Sequence, residues 1–193
     1  PTFDVVAPGI AKHEEEIVLA PGADPKSDPC LALRAAVAAA EFGLPIAPGT
    51  LQNLKSCPID DRTWNDESRS LFLRLLASGP ALLQVWEEID FVDIPGRLIP
   101  EWLAIRNRPS ASAAHRYTID RHSVEVVTRL GRETPRGNRY DDRHYQALLL
   151  AGILHDVGKR PGVADHAAEG ARHASMVLKR MGFDRDIIWW VTL

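Results

Sequence analysis

The chain has 193 residues, enough for one large domain or two small ones with a real core. A net charge of -3 gives no basic excess to attract nucleic acid or anionic lipid. Two cysteines without a CxxC spacing, no apolar run of membrane-spanning length and no signal peptide point to reduced thiols in a cytoplasmic protein, with a single bridge left open.

The first elements are extended. Phe3–Val6 and Glu16–Ala20 are short β-rich runs, with Pro8-Gly9 between them and Pro21-Gly22 closing the second, which predicts a hairpin. The charge run Lys12–Glu16 reads as its solvated turn. From there the signals are helical. Asp28 is placed as an N-cap with Pro29 at the first helical position, and Gly43 stops the helix that follows. A short helix starts after Pro48-Gly49. Asp66–Ser78 puts Leu71, Phe72, Leu75 and Leu76 on one face and ends at Gly79. Pro80–Val92 repeats that pattern with Leu82, Leu83, Trp86 and Ile89, and Leu98–Ile105 continues it weakly.

Arg106–His115, polar and rich in small residues, reads as a linker. Beyond it the spacing predicts helices over Asp120–Glu133, Asp141–Val157 and Asp165–Met181, the last stopped by Gly182, and a fourth from Asp184. Each of the first three opens on an aspartate suited to an N-cap. The fold class is mainly α, a short N-terminal β-hairpin followed by a helical connector and a second helical unit. The division falls at 1–109 and 110–193.

Chemistry concentrates in the second unit, which holds six of the seven histidines. His122 sits in the opening turn of a helix with Val124, Val127 and Leu130 on its apolar face. His155 emerges from the packed face of the next helix, with Asp156 beside it and Gly158 closing the helix. Imidazole and carboxylate together suit a divalent metal ion, manganese, magnesium, iron or zinc. Adjacent helical residues diverge by about 100°, so both reach one ion only at a helix end, with His122 as third ligand. The plainer reading makes His155 a satisfied core histidine and Asp156 a helix-end polar residue. His144 and His173 read as ordinary surface or packing residues, and Trp189-Trp190 as core.

The pattern His122 … His155-Asp156-Val157-Gly158-Lys159 resembles the HD superfamily of metal-dependent phosphohydrolases. The longer stretches HRYTIDRHSVEVV and LLLAGILHDVGKRPGVADHAAEGA resemble the HD-type domain of the bifunctional PII uridylyltransferase/uridylyl-removing enzymes. Upstream, DPCLALRAAVAAAEFGLPIAPGTLQNL resembles the helical segment after their nucleotidyltransferase core, and LFLRLLASGPALLQVWEEIDFVDIPGRLIPEW their connection to the HD domain. RLIPEW and HRYTIDRH look most like actinobacterial members, some of them adenylyl-specific.

The resemblance implies metal-dependent hydrolysis of a phosphodiester, removing UMP or AMP from a tyrosine of the PII nitrogen-signalling protein. His122, His155 and Asp156 would hold the metal, Mn or Mg in first place with Fe or Zn as alternatives. Lys159 would neutralise phosphate charge, as catalytic and substrate-binding residue. His166 would serve as acid/base or in a second metal site, and His115 and Asp120, from the HxYTxDxH pattern, would touch substrate or orient His122. The glycine-rich loop and paired aspartates of the transferase half do not occur, and a further aspartate ligand is expected beyond Leu193, implying weaker metal binding by this stretch alone. The alternatives are an HD phosphohydrolase acting on small nucleotides and a non-catalytic helical regulatory module.

Overall fold

The computed structural model describes residues 2–109, 117–133, 142–160 and 162–193. Three strands open the chain, β1 (Asp4–Ala7), β2 (Ile10–His13) and β3 (Glu16–Leu19), in one antiparallel sheet of order β1-β2-β3. Ala7 pairs with Ile10, leaving Pro8-Gly9 as a two-residue turn with Gly9 at φ 76°. His13 pairs with Glu16, leaving Glu14-Glu15 as the second turn. The two-strand expectation is therefore corrected, because Ile10–His13 is the central strand and only Glu14-Glu15 of the charge run turns. Ile10 and Ile17 are fully buried, but a four-residue strand ending Lys12-His13 is too short to show alternation.

The connector follows as α1 (Leu31–Phe42), α2 (Pro48–Leu54), α3 (Asp66–Leu76), α4 (Ala81–Phe91), α5 (Ile94–Leu98) and a 3-10 turn (Pro100–Ala104). Asp28 accepts the Cys30 N–H at 2.9 Å, so it caps the turn before α1, which begins two residues later than predicted. Gly43 ends α1 in the left-handed region at φ 64°, as its place predicts. Asn65 and Ser68 form a capping box at α3, whose Leu71, Phe72, Leu75 and Leu76 are buried. Leu98–Ile105 is not a continuation of α4. Ile99 is extended at φ -133°, as the residue before Pro100 must leave the α region. Cys30 and Cys57 are both free and buried.

The expected linker begins anchored, since the Arg106 guanidinium bridges Asp90 and Asp93, each at 3.0 Å. Its residues 110–115 lie outside the described residues. The second half consists of α6 (Ile119–Glu133), α7 (Arg143–Leu154), α8 (His166–Met181) and α9 (Arg185–Thr192). Asp142, Asp165 and Asp184 cap α7, α8 and α9. Asp141 lies outside the described residues, and Asp120 sits inside the first turn of α6 without capping it. Helix α7 ends at Leu154, earlier than the predicted Val157. Trp189 is 59% exposed, correcting its core assignment, and Trp190 stacks on His144 with ring centroids 4.2 Å apart.

Buried apolar residues from both sides of residue 110 form one continuous cluster, with α3 packing on α7 and α4 on α6. Polar ties join the halves. Arg69 of α3 donates to the Met181 carbonyl at 2.9 Å. Arg180 of α8 grips both carboxylate oxygens of buried Glu101 at 2.7 and 2.5 Å. Among the described residues no helix is long and apolar enough to cross a membrane. Removing Arg180 strands the Glu101 charge. Arg180→Ala is expected to cost about 2–3 kcal/mol in urea unfolding, the lower end for a buried pair because the arginine side chain is 26% exposed. An unchanged midpoint would show that this clasp contributes nothing.

Candidate metal centre

Helix α6 presents His122 from its first turn, where the His122 N–H donates to the Thr118 carbonyl at 2.9 Å. Buried Val127 helps seat α6 against α7. A Cβ at Gly152 of α7 would meet Val127 and Leu130 side-chain carbons at 3.0 Å, so glycine lets the two helices close together. His155 follows the last residue of α7, and the chain then turns through Asp156 and Val157. Gly158 does not act as a left-handed helix stop. A Cβ there would stand 2.3 Å from the Gly170 nitrogen of α8 and 2.5 Å from the His166 carbonyl oxygen, so its glycine serves backbone-to-backbone approach.

These three contacts bring one donor atom each from His122, His155 and Asp156 to within 4.8 Å of one another. Among the described residues this is the cluster of such donors able to surround an ion. The imidazole rings of His122 and His155 meet edge to face, centroids 5.3 Å apart at 70°. His155 Nδ1 lies 2.8 Å from the Gly152 carbonyl. A carbonyl only accepts, so Nδ1 carries the proton; in the neutral ring the Nε2 lone pair faces the cluster, and in the protonated ring Nε2–H faces Asp156 instead. His155 Nε2 and Asp156 Oδ2 are 3.4 Å apart, the spacing of neighbouring ligands on an ion with bonds near 2.1 Å.

Asp156 is 5% exposed, whereas His155 reaches solvent. Burial alone would raise the Asp156 pKa, but hydrogen bonds from His155 and Lys159 outweigh it and hold the carboxyl at about 2. Burial works to lower the His155 pKa, yet the bond to Asp156 and the Gly152 carbonyl raise it overall. Lys159 Nζ sits 2.8 Å from Asp156 Oδ2. The lysine thus balances the carboxylate charge and stands beside the ligand cluster. A groove of about 420 Å³ opens next to His155, lined in part by Ala151, Leu154, Ala168, Ala171 and Val191.

No family model and no solved structure matches the chain. It is 40% identical over 181 residues to the bifunctional uridylyltransferase/uridylyl-removing enzyme of Streptomyces coelicolor, covering 93% of this chain and 21% of that protein. Against the enzyme of the same name from Mycobacterium tuberculosis it is 39% identical over 175 residues, 90% of this chain and 21% of the relative. The Corynebacterium glutamicum enzyme is 34% identical over 161 residues, 82% and 22% respectively. The chain is homologous to one segment of this enzyme family. It spans about a fifth of the length of these relatives.

The structure does not bring all the predicted site residues together. His122, His155, Asp156 and Lys159 converge as described. His166 is exposed at the start of α8 and is not among the gathered donors, although its neighbours Ala167 and Ala168 line the groove beside His155. His115 lies outside the described residues. Asp120 is buried, and its Oδ2 accepts the Asn107 N–H at 2.8 Å, which ties the stretch after the 3-10 turn to the turn carrying His122. His173 is buried with Nε2 2.8 Å from Glu169, and His144 stacks on Trp190, both in packing roles. Nothing in the sequence marks Gly170, and helical spacing marks Gly152 only as part of the packed face that leads to His155. Gly152 stands three residues before His155, the one legible hint that its carbonyl meets the ring.

Two outcomes test this arrangement. The depressed Asp156 pKa contributes stability that is complete above the ordinary carboxylate range and lost as pH falls toward about 2. The raised His155 pKa contributes stability that is complete below its ordinary value and lost as pH climbs through the raised one. The metal-free chain therefore gains most from the pair between about pH 4 and 6.5. Thermal midpoints of wild type and His155→Ala should diverge most in that window, and a divergence that peaks above pH 8 contradicts the pairing. Separately, Gly158→Ala is expected to cost about 2 kcal/mol or more in urea unfolding. Gly170→Ala, whose Cβ meets its nearest neighbour at 3.6 Å, should stay within about 1 kcal/mol of wild type.

Proposed function

We propose that the chain is the hydrolytic segment of a bifunctional nucleotidyltransferase/hydrolase, a cytoplasmic enzyme removing UMP or AMP from the PII nitrogen-signalling protein by metal-dependent phosphodiester hydrolysis. In this reading residues 1–109 are the hairpin and helical connector, and 110–193 the HD-type domain. The observation that carries it is the convergence of two imidazoles and a buried carboxylate, the donor set of a divalent metal, in a chain homologous to uridylyl-removing enzymes. The name of those relatives supports the removing activity, and their length makes the activity of the whole protein part of the proposal.

The donor set fits manganese or magnesium, and equally iron or zinc. When bound, such an ion supplies Lewis-acid stabilisation to a phosphoryl group and to the attacking water. The residues divide the remaining work. His122 and His155 Nε2 would hold the ion through neutral nitrogens, and the Gly152 carbonyl keeps neutral His155 in that tautomer. Asp156 adds the charged ligand, its low pKa keeping it ionised at neutral pH. Lys159, held beside the cluster by Asp156, would offer a point charge to a phosphate oxygen. His166 is assigned the proton transfer to the leaving tyrosyl oxygen, with imidazole suited to that exchange near neutral pH. His115 is assigned to substrate contact.

The test is release of nucleotide from nucleotidylated PII by the full-length protein, with manganese content measured in parallel. His155→Ala and Asp156→Ala are each expected to lower the rate at least about a hundredfold and to lose bound manganese, since even groups behind the ligands are worth about 10–100-fold. Undiminished release by both variants would remove the mechanism. Release of phosphate or pyrophosphate from free nucleotides, with nucleotidylated PII untouched, would reassign the substrate.

A further inference from the structure

The turn that follows Asp156 carries two cations in succession, Lys159 and Arg160, and they are engaged differently. Lys159 Nζ is held by Asp156 at 2.8 Å. Arg160 is half-buried and forms no ion pair among the described residues. Its Nε donates to the Val157 carbonyl at 3.4 Å, near the outer limit of a hydrogen bond. Arg121, Arg143, Arg172 and Arg180 of the same half each hold a carboxylate, so Arg160 is the cation next to the ligand cluster with a guanidinium to spare.

The backbone beneath that guanidinium is fixed. The Arg160 N–H donates to the Gly158 carbonyl at 2.8 Å, and Gly158 is the residue pressed against Gly170 and the His166 carbonyl of α8. The Arg160 carbonyl in turn accepts the Val163 N–H at 3.5 Å. The side chain folds back over Val157, the residue next to Asp156, instead of running out along the loop toward α8. An anchored base with a lightly held head can reorient toward an anion at little cost.

The reaction proposed for this site calls for such a group. Water adds to phosphorus as the bond to the tyrosyl oxygen breaks; one of its protons ends on that oxygen and the other on the released monophosphate, which gives it up above about pH 6. A diester with one negative charge thus becomes a monoester with nearly two, and the added charge lies on the non-bridging oxygens. Lys159 already shares its charge with Asp156. A guanidinium fork meets two phosphate oxygens at once, which an ammonium point charge does not. We propose that Arg160 binds the non-bridging oxygens of the scissile phosphoryl group and of the nucleotide released from it, as a second cation beside Lys159. This role rests on the hydrolytic reading of the site.

Two measurements test it. In the full-length protein acting on nucleotidylated PII, Arg160→Gln is expected to lower kcat at least about tenfold, more than it raises KM, with bound manganese and thermal midpoint matching wild type. Arg160→Lys keeps the charge without the fork and should stay at least about threefold below wild type. In the 193-residue chain with manganese, Arg160→Gln should weaken UMP and AMP binding at least about tenfold and leave uridine and adenosine unaffected. Wild-type kcat in Arg160→Gln while His155→Ala is inactive overturns the role of Arg160 and leaves the hydrolytic reading standing. Equal weakening of nucleotides and nucleosides overturns the phosphate contact, and a wild type that releases no nucleotide from PII overturns both readings.

Discussion

A carboxylate at 5% exposure governs the C-terminal half of this protein. Asp156 has left water and must recover the lost solvation from fixed neighbours, or its charge would be untenable. His155 and Lys159 provide that recovery, one from the adjacent position and one from three residues on. The same geometry leaves the carboxylate facing a second imidazole. The requirement that stabilises the fold and the requirement of a metal site are therefore met by one arrangement, because a divalent ion is a stronger form of the compensation that Lys159 already supplies.

Holding those groups together depends on how closely backbones approach. Gly152 lets α6 lie against α7, and Gly158 lets the turn after α7 press on Gly170 and the His166 carbonyl. Side chains there would lever α6 or α8 away and part His122 from His155. The connector contributes from a distance. Asn107, following the 3-10 turn, is tied through its N–H to Asp120, and Arg180 clasps Glu101 across the two halves. Position at the site is thus inherited from packing that spans the whole cluster of buried side chains.

The local signals of the sequence carried most of the helical architecture. Gly43 and Gly182 stop helices in the left-handed conformation, Asp165 caps α8, and the apolar spacing of α3 and α4 names their buried faces. These features act within a turn or two of chain, so they can be read without knowing what packs against them. The meeting of His155 with Asp156 was legible for the same reason, since they are adjacent in the chain. The tertiary structure decided the rest. Ile10–His13 became the central strand because neighbours on both sides pair with it. Trp189 faced outward because nothing among the described residues covers it. Gly158 proved to serve a contact with α8. Each of these depends on distances between segments remote in sequence, which only the packed chain defines.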